Sequence, residues 1–234
     1  MIVGVMQPYL FPYIGYWQLL NGVDTFVMFD DVNYINRGWI NRNRILIDGQ
    51  PKYFNVQMRG ASQNQLINEV ALTNDVQAAE KQVRAIELAY KKAPYFTDCF
   101  PMIAECMRFQ GENLSDFVCH SIRETAKYLG INTTLLLSSE IEKDNSLRGQ
   151  DKILDICKRL GATEYWNPIG GTELYDKELF SENGMVLHFL KANGDIRYKQ
   201  FKEDAFEPFL SIIDVMMFNS VDSIHEMLNE YTLL

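Results

Sequence analysis

Residues 30–44, DDVNYINRGWINRNR, hold the densest group of side chains in this chain that could do chemistry. Arginine presents a planar fork that fits carboxylate or phosphate, asparagine offers donors and acceptors, and tryptophan and tyrosine give flat stacking faces. The mixture predicts a loop that binds a small anionic ligand carrying a ring; the alternative is a solvated loop rich in turn-forming residues. The binding candidates are Tyr34, Arg37, Trp39, Asn41, Arg42 and Asn43, and the catalytic candidates are Asp30 and Asp31.

A second stretch, QPYLFPYIGYW at residues 7–17, has no charge, two prolines and three tyrosines. It fits the mouth of an active site, stiffened by its prolines and lined by its tyrosines, and it also fits an apolar plug of core. No charged residue precedes Asp24, but a signal peptide would need a positive start, and Gln7, Pro8 and Pro12 interrupt the stretch short of a membrane span. The candidates here are Gln7, Pro8, Pro12 and Tyr13 for binding and Tyr16 for catalysis.

A third stretch, NPIGGTELY at residues 167–175, contains adjacent glycines. Adjacent glycines let backbone N–H groups approach an oxyanion closely, although a simple turn explains the pattern equally well. The binding candidates from this stretch are Asn167, Gly170, Gly171 and Tyr175.

The charge distribution favours a small anionic ligand over a polymer. The chain of 234 residues has a net charge of −9, which argues against nucleic acid or an anionic membrane as the main partner. Residues 1–60 nevertheless carry five basic against four acidic side chains. The cysteines, at 99, 106, 119 and 157, show no zinc-ligand spacing and predict free core thiols in a reducing cytoplasm.

The elements that must position these residues alternate between strand and helix. Apolar runs at 2–6 and 25–29 enclose a short helix and predict a βαβ unit, which would place Gln7-Pro8 and Asp30-Asp31 at one carboxyl edge of a sheet. Asp48-Gly49 predicts a hairpin turn, and helical stripes predict a helical insert near 75–130. The chain is therefore expected to be a single α/β domain, 1–234, with a mainly parallel sheet. Later strands are predicted within 133–139, 163–168 and 185–190, and later helices within 150–161, 206–218 and 220–231.

Four segments together resemble the WbqC-like family: MQPYLFPYIGYWQLL, FVMFDDVNYINRGWINRNRI, YWNPIGGTELY and FLSIIDVMMFN. The resemblance runs from residue 1 to about 219 and includes every candidate named above; Ser211 and Asp214 match the fourth segment. It implies a cytoplasmic transferase of bacterial O-antigen or other surface-polysaccharide biosynthesis. The implied reaction is acyl or amino-acyl transfer, such as glycine transfer, onto a nucleotide-linked amino sugar. The alternative is a non-catalytic nucleotide-sugar-binding or scaffold protein.

A more distant similarity concerns the first loop. A strand, a proline-containing loop and a glycine opening a helix are similar to the layout of the nucleotidyltransferase-like α/β fold, in which HxGH binds nucleotide phosphates. Here YIGY stands in that place, with Tyr13 and Tyr16 replacing both histidines. The similarity implies an ATP-dependent amide-forming ligase as an alternative activity, with ATP and magnesium as possible cofactors and with Arg37, Arg42 and Arg44 supplying the positive charge. The expected partner is a small-molecule nucleotide sugar or nucleotide, without nucleic acid or membrane insertion; the metal and the oligomeric state stay open.

Overall fold

A computed structural model describes residues 1–194, 196–201 and 206–234. Its centre is a six-stranded sheet, and the fold class predicted from the sequence is confirmed. Five strands run parallel and the sixth is antiparallel, in the spatial order β10-β9-β8-β1-β2-β7. These strands are β1 (Ile2–Met6), β2 (Thr25–Met28), β7 (Thr134–Leu137), β8 (Glu164–Pro168), β9 (Val186–Ala192) and β10 (Tyr231–Leu233).

The N-terminal βαβ unit forms as the apolar runs predict. Helix α1 (Ile14–Gly22) connects β1 to β2, and the two strands pair with Val3 opposite Thr25 and Met6 opposite Met28. The chain extends from β2 to β7 on one side of β1 and then crosses to β8 on the other side. The direction of strand addition therefore reverses between β1 and β8, and ligands of open α/β sheets bind beyond the carboxyl ends at such a point.

A hairpin and a helical insert separate β2 from β7. The hairpin strands, β3 (Arg42–Ile47) and β4 (Gln50–Asn55), join through Asp48 and Gly49, whose φ angles of 52° and 74° give the left-handed backbone that a two-residue turn requires. A second short pair, β5 (Met58–Arg59) and β6 (Ala71–Leu72), follows. The predicted insert is confirmed as α2 (Val76–Tyr90), α3 (Phe96–Arg108) and α4 (Leu114–Tyr128).

The remaining helices close the chain around the sheet. They are α5 (Gly149–Leu160), α6 (Lys177–Glu182), α7 (Ile212–Phe218) and α8 (Val221–Leu228). One apolar core packs α1, the insert, α7 and α8 on one face of the sheet, and a smaller core packs α5 and α6 on the other.

Two details differ from the sequence prediction. The helix predicted from residue 206 begins only at Ile212, because the Ser211 hydroxyl accepts a hydrogen bond from Ile213 N as its N-cap and Pro208 precedes it. The last helix is predicted to run to Tyr231, and no strand is predicted at β10. Strand β10 forms instead because α8 ends at Leu228 and the following residues pair with the exposed edge of β9.

Candidate functional site

The loop between β1 and α1 is held in place by two buried polar side chains. Asn43 Nδ2 donates hydrogen bonds to the carbonyl oxygens of Leu10, at 3.0 Å, and Phe11, at 2.8 Å. Ser211 Oγ donates a further bond of 2.7 Å to the Phe11 carbonyl. Phe11 has a φ of 40°, which costs energy in a residue other than glycine. The two partners therefore fix a strained turn, and they join three of the segments that the sequence singled out.

This turn forms one wall of a cleft of about 220 Å³, which we call the aromatic cleft. Four aromatic rings, one proline, one asparagine and one arginine line it: Tyr9, Pro12, Tyr13, Trp39, Asn43, Arg44 and Phe209. The cleft thus brings together four predicted binding residues, Pro12, Tyr13, Trp39 and Asn43, with Arg44, one of the arginines expected to supply positive charge. Aromatic faces beside a guanidinium are suited to a flat ring that carries a negative group.

Arg44 supplies the cleft with its positive charge. Its guanidinium carbon lies 5.8 Å from the centre of the Trp39 ring, within the range of a cation–π contact. Its Nη2 donates only a long bond, 3.5 Å, to the Phe209 carbonyl, and its buried Nε has no hydrogen-bond partner among the described residues. A buried donor without a partner costs free energy, which an anionic ligand at this position would recover.

The tyrosines of the first loop are neutral at physiological pH. Burial raises the pKa of Tyr9 and of Tyr13, and it raises the pKa of Tyr16 well above its ordinary value. The Tyr16 side chain is 2% exposed and its hydroxyl donates to the Gln7 carbonyl at 3.2 Å. The location of Tyr16 therefore favours a core residue that fixes Gln7 over the predicted catalytic role.

Several polar residues of the second loop support its own backbone. The buried Tyr34 hydroxyl donates 2.9 Å to Asn41 Oδ1, and Asn41 Nδ2 donates to the Val56 carbonyl at 3.4 Å. Arg42 Nε donates 3.2 Å to the carbonyl of Gly38, and its Nη2 donates to the carbonyl of Arg37. These contacts shape the loop, and the cleft lining does not include Tyr34, Arg37, Asn41 or Arg42.

Asp30 is 1% exposed, and both oxygens of its carboxylate accept hydrogen bonds from serines. Its Oδ1 accepts from Ser139 N at 2.9 Å, and its Oδ2 accepts from Ser139 Oγ at 2.7 Å and from Ser115 Oγ at 3.3 Å. These bonds tie the end of β2 to α4 and to the segment after β7. The arrangement favours a structural role for Asp30, since both oxygens are already satisfied.

Asp31 lies in a buried cluster of three charges. Its Oδ2 is 2.7 Å from Lys143 Nζ and 3.3 Å from Lys152 Nζ, and the two lysine side chains are 1% and 7% exposed. Burial raises the pKa of Asp31, but the hydrogen bond from Lys143 and the charges of both lysines outweigh it, so the net pKa is below its usual range. Asp31 is therefore ionised at neutral pH.

The predicted residues of the third stretch lie at the carboxyl end of β8. Asn167 is buried and its Nδ2 donates 2.7 Å to the Tyr165 hydroxyl, while the Tyr175 ring packs against Tyr165 with centres 5.5 Å apart. A Cβ at Gly171 would collide with the Asn167 side chain, whereas one at Gly170 would meet open space. Position 171 is therefore glycine because a larger residue would collide with the Asn167 side chain. Asn167, Gly170, Gly171 and Tyr175 are not part of the aromatic cleft lining.

Four residues at these sites were missing from the set predicted on sequence alone. Tyr9 and Phe209 line the cleft, and Lys143 and Lys152 neutralise Asp31. Tyr9 could have been predicted from the sequence, because it stands between Pro8 and Pro12, which are both predicted binding residues. The other three lie more than 100 residues from their partners in sequence, and no local pattern marks them.

Other chemistries find little support among the described residues. The four cysteines are buried and free, and burial raises the pKa of each thiol to about 12. In the part of the chain that the structure describes, no three His, Cys, Asp or Glu side chains are grouped to hold a metal ion. No helix within the described ranges combines the length and apolar character needed to cross a membrane.

Two further hollows lie away from the predicted residues. One of about 150 Å³ lies between α2 and the end of α3, and a shallower one of about 560 Å³ lies beside the hairpin turn. Neither is lined by any residue that the sequence marked for chemistry.

Comparisons with known proteins agree with this organisation. Residues 7–226 match the WbqC-like protein family, so that match includes every candidate residue discussed above. The chain is also 30% identical over 217 residues to a protein described as "Uncharacterized protein Rv1507c" from Mycobacterium tuberculosis, and the similarity covers 92% of each chain. No solved structure matches the chain.

Proposed function

This chain belongs to the WbqC-like protein family, and we propose that it binds a nucleotide-linked amino sugar and transfers an acyl or amino-acyl group to the sugar's amine. The pathway we propose is bacterial surface-polysaccharide synthesis, of which O-antigen is one product. The aromatic cleft is the proposed ligand site.

The observation that carries this proposal is the composition of the aromatic cleft. The β1–α1 loop supplies Tyr9 and Tyr13, the loop before β3 supplies Trp39, and β3 supplies Arg44. Stacking of a base on an aromatic side chain contributes roughly 1–3 kcal/mol, and a guanidinium binds phosphate through two parallel hydrogen bonds. A ring joined to a phosphate satisfies both features, and the Nη2 of Arg44 makes only one long hydrogen bond, 3.5 Å, to the Phe209 carbonyl.

The proposed transfer needs positioning more than a protein nucleophile. The sugar amine attacks the acyl carbonyl, a C–N bond forms, the bond to the leaving group breaks, and the amine loses one proton. None of the described residues that line the cleft is a carboxylate, histidine or cysteine. When an activated acyl donor is held next to the amine, the correct orientation of the two groups supplies a large share of the rate acceleration. Asp31, the ionised carboxylate predicted from the sequence, is bound by two lysines and does not line the cleft, so the proposal gives it no contact with the sugar amine.

The test combines binding with product detection. The protein is first screened by thermal shift against millimolar UDP- and GDP-linked hexosamines, whose binding to the native state must raise the melting temperature. The same sugars are then incubated with protein, ATP, magnesium and glycine, and analysed by mass spectrometry. A thermal shift, together with a mass increase of the sugar nucleotide equal to one glycyl group, supports the proposal. The absence of any thermal shift at millimolar ligand contradicts it.

A second candidate is a nucleotide-sugar-binding protein that performs no chemistry. The lining of the aromatic cleft favours this candidate, because its tyrosines are neutral and the described lining residues include no carboxylate or histidine that could act as a general base. This candidate predicts a thermal shift without product for every donor supplied. It also predicts a stable partner that co-purifies from a native lysate.

A further inference from the structure

Two exposed aromatic rings continue the ligand surface beyond the aromatic cleft. Trp39, which lines the cleft and is 39% exposed, lies 6.3 Å from Tyr53 between ring centres, and the two planes differ by 30°. Tyr53 is 55% exposed and has no part in the cleft lining. Trp39, Tyr53 and Arg42 together are called the outer platform. Single exposed aromatics need no explanation, but adjoining rings that extend a cleft do.

The hairpin register explains why these groups share one face. Arg44 of β3 pairs directly with Tyr53 of β4, so their side chains point to the same side, and Arg42 lies two residues before Arg44 on that side. Asn43 points to the opposite side and is 3% exposed. The solvent face of the hairpin thus carries two guanidinium groups and one ring, and its inner face secures the cleft wall.

The outer platform is held in a fixed shape. The Arg42 guanidinium carbon lies 4.5 Å from the centre of the Tyr53 ring, and the same group donates to the Gly38 carbonyl at 3.2 Å. Arg42 therefore covers one face of the Tyr53 ring, and the rest of this 55% exposed side chain faces Trp39 and solvent. A fixed platform loses little conformational entropy when a ligand binds.

The aromatic cleft is too small for a complete two-ring ligand. Sites for drug-sized molecules measure about 300–1,000 Å³, whereas this cleft measures about 220 Å³. Arg44 lines the cleft and also lies over Trp39 of the platform, so it is at the junction of the two surfaces. That order of ring surface, cation and second ring surface matches a ligand with two rings joined by an anionic linker.

Resting on the proposed function, we propose that the outer platform is a second ring subsite that binds the sugar of a nucleoside diphosphate sugar. The base lies in the aromatic cleft and the diphosphate lies at Arg44. The cleft suits the base because Asn43, one of its polar groups, already spends its amide on backbone partners, so sugar hydroxyls there would lack hydrogen bonds. On the open platform the sugar packs one face on Tyr53 and keeps its hydroxyls in water.

The test compares whole and truncated ligands on matched variants. Affinities for UDP-N-acetylglucosamine, UDP-glucosamine, GDP-mannosamine and the corresponding nucleoside diphosphates are measured by calorimetry for wild type, Tyr53→Ala and Leu88→Ala. Leu88 is 57% exposed on α2 and serves as the control. Tyr53→Ala should weaken the nucleotide sugar about tenfold, the lower part of the 1–3 kcal/mol range for stacking, and should leave the nucleoside diphosphate unchanged. Leu88→Ala should change neither affinity.

Fluorescence gives a second readout of platform occupancy. Trp17 and Trp166 are buried, so Trp39 is the tryptophan that a soluble quencher reaches most readily. The nucleotide sugar should protect Trp39 from acrylamide more than the nucleoside diphosphate does. If Tyr53→Ala binds the complete nucleotide sugar as tightly as wild type, the second subsite is overturned while the proposed function stands. If wild type binds none of the compounds, the proposed function fails and this inference fails with it.

Discussion

The side-chain amide of Asn43 donates a 2.8 Å hydrogen bond to the carbonyl oxygen of Phe11, and this bond joins the two segments that form the walls of the aromatic cleft. Asn43 belongs to the hairpin and Phe11 to the loop after β1. The contact holds Phe11 in a left-handed conformation that a residue with a side chain rarely adopts. The shape of the proposed ligand site therefore depends on a residue whose own amide donates both of its hydrogens to backbone carbonyls.

Replacing Asn43 with alanine should destabilise the fold and open the cleft. The substitution leaves the Leu10 carbonyl without its buried side-chain donor and the Phe11 carbonyl with the Ser211 hydroxyl alone, which costs about 1–3 kcal/mol in the free energy of unfolding. Urea denaturation of Asn43→Ala measures this loss. Asn36→Ala, at an exposed position of the same loop, is the control and should unfold at the wild-type midpoint. Equal midpoints for both variants would contradict the role assigned to Asn43.

Replacing Asp31 with asparagine should cost about 3–5 kcal/mol in unfolding free energy, because it leaves two buried lysines without a counter-charge. Adding Lys152→Met to that variant should recover part of the loss. Thermal melts of the single and double variants measure both effects. Asp222→Asn, at an exposed position in the first turn of α8, should behave as wild type.

The same cluster predicts sensitivity to acid. The native pKa of Asp31 is lowered, so its stabilising contribution is complete above the unfolded-state value of about 3.9. That contribution is lost as the pH falls toward and through the native pKa. Wild type should therefore lose stability below about pH 4, and Asp31→Asn should lose less over the same interval. Parallel pH profiles for the two proteins would contradict this account.

Asp214 predicts the opposite dependence on pH. It is buried, and its Oδ1 accepts 2.6 Å from the Tyr90 hydroxyl while its Oδ2 accepts 2.6 Å from Tyr198 and 2.8 Å from Gln200. Burial raises its pKa in spite of these bonds. The native state therefore binds a proton that the unfolded state has released, and the contribution of this group to stability falls as the pH rises through that interval.

Tyr90→Phe tests this assignment, because it removes one donor to the carboxylate and the acceptor of Leu46 N. The variant should lose about 1.5–3 kcal/mol at pH 7.5, the range for hydrogen bonds to charged groups, and less at pH 4. Urea denaturation at both pH values gives the comparison, with Tyr95→Phe as the control tyrosine. An equal loss at both pH values would show that the charge of Asp214 does not change between them, which contradicts this assignment.

The four thiols should be unreactive in the folded protein. Each is buried, and a pKa of about 12 leaves almost no thiolate at pH 8. Iodoacetamide should label less than one cysteine per chain at pH 8 and all four in urea. Rapid labelling of one thiol in the native protein would identify a reactive cysteine and reopen the question of a covalent mechanism.

Local sequence patterns predicted the helices and strands better than they predicted the contacts between them. Asp48-Gly49 identified the hairpin because few residue pairs accept two successive left-handed conformations. The apolar runs around α1 identified the βαβ unit in the same way. Strand β10 was not predicted, because three residues contain too little periodicity and their pairing depends on a free edge of β9 that only the fold creates.

The sequence predicted which residue types belong to the candidate site, but not the directions in which their side chains point. Tyr34, Asn41 and Arg42 were reasonable ligand-binding candidates, yet their hydrogen bonds go to their own loop. Strand alternation could have separated Arg44 from Asn43, since neighbours in β3 face opposite sides. The approach of Phe209 and of the two lysines to residues far away in sequence required the tertiary fold.

The most direct measurement of the central claim is calorimetric titration of a nucleotide-linked amino sugar into wild type, Arg44→Met and Arg84→Met. Arg84 is an exposed arginine of α2 and controls for the loss of one positive charge. We predict saturable binding to wild type and Arg84→Met, and affinity about ten- to a hundredfold weaker for Arg44→Met, whose lost bonds to phosphate correspond to about 1.5–3 kcal/mol. Equal affinity for Arg44→Met and wild type would contradict the placement of the ligand in the aromatic cleft.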